Sequence, residues 1–132
     1  MFKLGVYNWQ TNQLAACELR QDEYTSSDNI VVYKSQSPYQ NGQNCSFVFS
    51  CATDKHLTLD FKQFDIAESA IDKVKGHSYC PDYVSIDGQK YCGSTAPSVN
   101  ITENEIEIAF HSDLQNTAKG FEILLACKGI WL

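Results

Sequence analysis

The chain has 132 residues, 43% of them apolar and 12% aromatic, with a formal charge of -6 at pH 7. That length suits one domain with a core of its own, and the composition excludes a disordered chain. No apolar run approaches a membrane span, and the acidic balance excludes the basic stripe that a nucleic-acid binder needs.

An acidic surface remains compatible with a cationic partner, a divalent ion, or plain solubility in a secreted protein. The six cysteines include no Cys-x-x-Cys pair, which argues against a zinc cage or a redox motif. An even count in so short a chain points to disulfides formed in an oxidising compartment, hence to a secreted, extracellular protein. Met1-Phe2-Lys3-Leu4 gives way to Asn8, Gln10 and Asn12 too early for a secretory leader. Met1 therefore reads as an added initiator, or the chain as a piece of a longer secreted product.

Residues 1–16 form an N-terminal arm in which Phe2, Tyr7 and Trp9 alternate with polar residues without a clear period; Cys17 is expected to pin it to the body. A strand is predicted over Asn29–Lys34, where Ile30, Val31, Val32 and Tyr33 are β-branched or aromatic. Ser35 to Gln43, with Pro38, Asn41 and Gly42, reads as a loop. Cys45, Phe47, Phe49 and Cys51 then share one face at period two, and Leu57, Leu59 and Phe61 another. Ala67, Glu68, Ala70, Lys73 and Lys75 favour one short helical insertion near 67–75.

Tyr83 to Ile86 is a strand-like run ending in an Asp87-Gly88 turn, bracketed by Cys80 and Cys92. Ile106, Ile108 and Phe110 alternate with Glu105, Glu107 and Ala109, and Phe121, Ile123, Leu125 and Cys127 share one face of a last strand. These eleven apolar residues of residues 47–125 (Phe47, Phe49, Leu57, Leu59, Phe61, Ile106, Ile108, Phe110, Phe121, Ile123, Leu125) are the expected core; Glu105, Glu107 and Glu122 should face water. Residues 128–132 are a short C-terminal tail whose Trp131 is a candidate to fold back. Short alternating runs separated by turns predict an all-β chain, an antiparallel β-sandwich.

The order Cys80, Asp82, strand, Asp87-Gly88, Cys92-Gly93, then Phe110-x-Ser112-Asp113 and Gly120-Phe121, resembles the CUB domain family. Ser37-Pro38-Tyr39 is similar to that family's Ser-Pro-x-Tyr-Pro segment in shortened form. The resemblance covers residues 17–127 and implies a jelly-roll of two packed sheets, against which residues 65–77 look like an insertion. It also implies the pairs Cys17–Cys45 and Cys80–Cys92. Cys51 and Cys127 then remain, and their shared inward phase supports Cys51–Cys127.

In calcium-binding CUB domains the aspartate of the Ser-Asp step is a ligand, and an asparagine three residues on often contributes. Asp113 and Asn116 match these positions. Glu68 and Asp82 are the nearest equivalents of the family's remaining glutamate and aspartate, each one position out of register. Hard oxygen donors of this kind suit Ca²⁺; the competing reading is that Asp113 and Asn116 cap their own loop.

Other constellations point away from catalysis. His56, His77 and His111 lie on separate segments. Ser112-Asp113 beside His111 lacks the geometry of a triad, because adjacent strand residues face opposite ways, and there is no Gly-x-Ser-x-Gly elbow. Glu103, Glu105 and Glu107 read as a solvated strand face. Asn100-Ile101-Thr102 is a glycosylation sequon; Asn44-Cys45-Ser46 is a second one, made a poor acceptor by a bonded cysteine.

The resemblance therefore implies a non-catalytic extracellular recognition module, not an enzyme, that binds a protein partner through an acidic rim holding Ca²⁺. In the family the acidic residues around the ion also receive a basic side chain from the partner. A glycan is a second candidate ligand. The alternatives are an accessory domain of a secreted serine protease or metalloprotease, and a stand-alone glycan or lipid binder like the spermadhesins, which generally lack the calcium residues.

Overall fold

The computed structural model describes the backbone of residues 17–21 and 29–129 and the side chains of residues 30–129. The N-terminal arm 1–16 and Trp131 of the tail lie outside the described residues, and so does the Cys17 side chain of the expected Cys17–Cys45 pair.

Among the described residues, ten strands follow in order: β1 Cys17–Gln21, β2 Asn29–Ser35, β3 Asn44–Ser50, β4 Lys55–Asp65, β5 Ala70–Ile71, β6 Ser78–Tyr79, β7 Tyr83–Ile86, β8 Gln89–Tyr91, β9 Glu105–His111 and β10 Gly120–Gly129. Two four-stranded antiparallel sheets, ordered β1-β2-β10-β4 and β3-β9-β7-β8, make the sandwich. Alternation decides which faces meet. Cys45, Phe47 and Phe49 of β3, Ile106, Ile108 and Phe110 of β9, and Phe121, Ile123, Leu125 and Cys127 of β10 are all buried. The side chains between them are exposed or half-buried apart from the small Ala126, with Glu105 and Glu107 exposed and Glu122 half-buried.

Aromatic rings stitch the sheets together. Phe47 of β3 meets Tyr33 of β2 at 4.3 Å between centroids, Tyr33 meets Phe121 at 5.4 Å, and Phe121 meets Phe110 of β9 at 5.2 Å. Tyr39, in the loop after β2, closes the row edge-on against Phe110 at 5.0 Å. Disulfides add covalent ties. Cys51–Cys127 joins the end of β3 to β10 in the opposite sheet, and Cys80–Cys92 spans the β7–β8 hairpin. Cys45 is disulfide-bonded as well.

Two sequence expectations need correction. Residues 67–75 hold no helix. The insertion is a small hairpin, β5 paired with β6 as Ala70↔Tyr79 and Ile71↔Ser78. Asp72 is the cause: its Oδ1 accepts from the Val74 and Lys75 amides, and its own N–H bonds the His77 carbonyl. A side chain that binds its own backbone in this way offers the chain a turn in place of a helix. The second correction concerns β4, whose Leu59 and Phe61 are only partly buried. Lys62 is an extra residue opposite β10, since Phe61 pairs with Ile123 and Gln63 with Glu122. This bulge shifts the phase, so Phe64 and Ile66 turn inward beyond it.

Candidate functional site

Three segments converge at one end of the sandwich: the chain leaving β4, the chain entering β7, and the loop after β9. β7 and β9 run antiparallel, which brings the end of β9 beside the start of β7, as Tyr83↔His111. An open cleft of about 530 Å³ lies there, lined by Asp65, Glu68, Tyr79, Asp113 and Asn116 among others.

Asp82 forms the base of the site. It is wholly buried, at 0% exposure. Its Oδ2 accepts from the Tyr39 hydroxyl at 2.7 Å and its Oδ1 from the Asp113 N–H at 2.8 Å. The Asp113 carboxylate meets it side chain to side chain. Burial pushes the Asp82 carboxyl above the usual carboxylate range. The two donated hydrogen bonds pull it back, and the neighbouring Asp113 charge pushes it up again.

Tyr39 is the keystone beneath. Its hydroxyl donates to Asp82 and accepts from the Ala67 N–H at 3.0 Å, so one side chain couples the loop before β7 to the chain leaving β4. Burial raises this phenol far above its ordinary value, with the Ala67 bond opposing and Asp82 adding to the rise. Ser112 performs a similar service beside it. Buried at 1% exposure, it donates to the Gln40 carbonyl and accepts from the Gln43 N–H, tying the loop after β2 to the end of β9.

The four sequence-derived oxygen donors thus take different places. Asp82 and Asp113 stand together, Asp82 beneath and Asp113 half-buried in the cleft wall. Asn116 lines the same cleft at a positive φ of 55°. One oxygen of Asp113 also caps its own loop, accepting from the Gln115 N–H at 2.9 Å. Glu68 lines the cleft but is exposed, its carboxylate resting near Gly93. Among the described residues, no three histidine, cysteine, aspartate or glutamate side chains are grouped closely enough to hold a metal ion. Tyr39 and Ser112 were not singled out as site residues from sequence. The signal was present in Ser37-Pro38-Tyr39 and in Phe110-x-Ser112-Asp113, which marked the segments without revealing the contacts.

The CUB domain family profile matches residues 17–125. The chain belongs to the CUB family. It is 35% identical over 91 residues, 64% of its length, to the suppressor of tumorigenicity 14 protein homolog of Bos taurus. It is 29% identical over 84 residues, 63% of its length, to blastula protease 10 of Paracentrotus lividus, and 32% identical over 90 residues, 65% of its length, to human procollagen C-endopeptidase enhancer 1. These matches span 10%, 14% and 20% of the respective relatives. CUB domains are generally non-catalytic modules that mediate protein–protein interaction in extracellular or membrane-associated proteins. No helix of the described residues is long and apolar enough to cross a membrane.

Proposed function

We propose that this domain is a non-catalytic, secreted recognition module that binds Ca²⁺ at its cleft and there receives a basic side chain of an extracellular protein. The observation that carries the reading is the buried Asp82 opposed to Asp113. Asp82, buried beneath the cleft, meets Asp113 in the cleft wall, and among the described residues no lysine, arginine or histidine is paired with either of them. Such an arrangement favours a cation from outside. Asp82 and Asp113 would hold the ion, with Glu68 and Asn116 the candidates to complete its oxygen shell. The ion supplies positive charge that neutralises the opposed carboxylates and steadies the loops carrying them.

The cleft rim suits a protein partner. Ile71, Val74, Tyr79 and Leu114 are the large apolar side chains left most exposed among the described residues, and all four lie on the β5–β6 hairpin or the loop after β9. A lysine or arginine flanked by apolar residues would match the carboxylates of the cleft and these side chains together.

The test uses a minimal ligand. Millimolar acetyl-lysine methylamide should move the amide resonances of Glu68, Asp113, Gln115 and Asn116 in the presence of Ca²⁺, and leave them in place with chelator. Unmoved cleft resonances in both conditions would contradict the reading. The similarity to blastula protease 10 and procollagen C-endopeptidase enhancer 1 favours a second reading, an accessory domain acting beside a secreted protease. A protease motif in the same precursor decides for it.

A further inference from the structure

Of the two Asn-x-Ser/Thr sequons, we infer that Asn100 carries an N-linked glycan and Asn44 does not, and that the glycan stands at the end of the sandwich away from the cleft. The inference rests on the secreted reading above, but its readout needs neither calcium nor a partner.

The irregular segment between β8 and β9 holds Asn100-Ile101-Thr102. Val99 and Ile101 pack partly buried against the core. Asn100 and Thr102, the two residues a transferase must reach, are both exposed. The apolar pair thus anchors the segment while its polar neighbours face out over an open groove, lined also by Asp87, Glu103 and Glu107. Among the described residues no hydrogen bond engages the Asn100 side chain; the segment is tied further on at Asn104, whose Nδ2 donates to the Ala52 carbonyl at 3.1 Å and whose carbonyl accepts from the Cys51 N–H at 2.7 Å.

Asn44 is exposed as well, but its backbone and side chain are engaged. It lies within β3, paired in register with His111 of β9, and its Oδ1 is 2.8 Å from the His111 ring nitrogen. The middle residue of its sequon, Cys45, is buried and disulfide-bonded. Pairing with β9 and the bonded Cys45 hold this sequon extended, against the turn that glycan transfer needs.

The chemistry is a group transfer to an amide. Asn100 Nδ2 attacks C1 of the first sugar of a lipid-pyrophosphate oligosaccharide. The C1–O bond to pyrophosphate breaks, lipid pyrophosphate leaves, and Nδ2 gives up one proton as the C–N bond forms. Placement follows from topology. Asp87 and Glu107 exchange backbone and side-chain hydrogen bonds beside the groove, at the end of β7 and the start of β9. The cleft lies at the other end of the same strands, and the seven residues of β9 set the two about 20 Å apart. A glycan at Asn100 therefore leaves the cleft open to a partner.

The 132-residue chain, secreted from a eukaryotic host behind a cleavable leader, should carry one glycan by intact mass. Peptide N-glycosidase should remove it and leave aspartate at position 100. Asn100→Gln and Thr102→Ala should each abolish the added mass, while Thr102→Ser and Asn44→Gln retain it. Deglycosylation should shift amide resonances near 87 and 99–107 and none at 65–70 or 113–118. A secreted chain without added mass, a glycan that survives Asn100→Gln, or movement of the cleft resonances would overturn the inference.

Discussion

Tyr33 and Tyr39 are both buried, and their hydroxyls stand in opposite situations. The Tyr39 hydroxyl has two partners, Asp82 and the Ala67 amide. The Tyr33 hydroxyl has none among the described residues. Tyr39→Phe should therefore cost about 1–3 kcal/mol, because it strands a buried carboxylate oxygen and an amide. Tyr33→Phe should be neutral or stabilising, since it removes a hydroxyl that burial leaves unpaired. Chemical denaturation of the two variants checks the contrast; equal losses would contradict it. Gly120 is fixed just as locally. Its φ is 103°, and a Cβ there would collide with Ser35 Oγ and sit 2.8 Å from the Gln36 carbonyl. Ser35 Oγ in turn accepts from the Phe121 N–H at 3.1 Å, which is the physical content of the Gly-Phe step that marked the family in sequence. Gly120→Ala should lower stability by about 2 kcal/mol or more, measured by thermal melting.

Strands were legible wherever one face is buried and the other wet. The inward sets of β3, β9 and β10 followed from period two alone, and the predicted run Tyr83–Ile86 coincides with β7. Legibility failed where a side chain or an extra residue overrides the period. Asp72 turned an apparently helical composition into a hairpin, and Lys62 as a bulge carried Phe64 and Ile66 inward, which no count of alternating residues from Leu57 would give. Exposure grades the consequences. Phe110→Ala and Phe121→Ala remove rings that touch across the two sheets and should each cost about 3–5 kcal/mol. Leu59→Ala on half-buried β4 should cost clearly less, and equal costs in denaturant titrations would mean that β4 is packed as tightly as β9 and β10.

At the scale of the molecule, covalent ties hold the two sheets together and the cleft opens at one end of them. Cys51–Cys127 closes a separation of 76 residues between the sheets, and Cys80–Cys92 one of 12 within a single hairpin. On loop-closure entropy alone, removing the first should cost about 1.5 kcal/mol more than removing the second, comparing Cys→Ala pairs by denaturation. The cleft was only half legible. Asp113 and Asn116 were marked by the resemblance to calcium-binding CUB domains, and Asp82 reaches Asp113 from the loop before β7, its Oδ1 accepting the Asp113 N–H. Tyr39, some forty residues earlier in the chain, was not legible as its support, because the contact exists only once the chain leaving β4 meets the start of β7 and the end of β9 across the two sheets. Calorimetric titration of chelator-stripped protein with Ca²⁺ tests the central claim most directly. The account predicts saturable heat below millimolar concentration, lost in Asp113→Ala while that variant keeps its fold. A wild-type protein that gives no binding heat up to millimolar Ca²⁺ would contradict it.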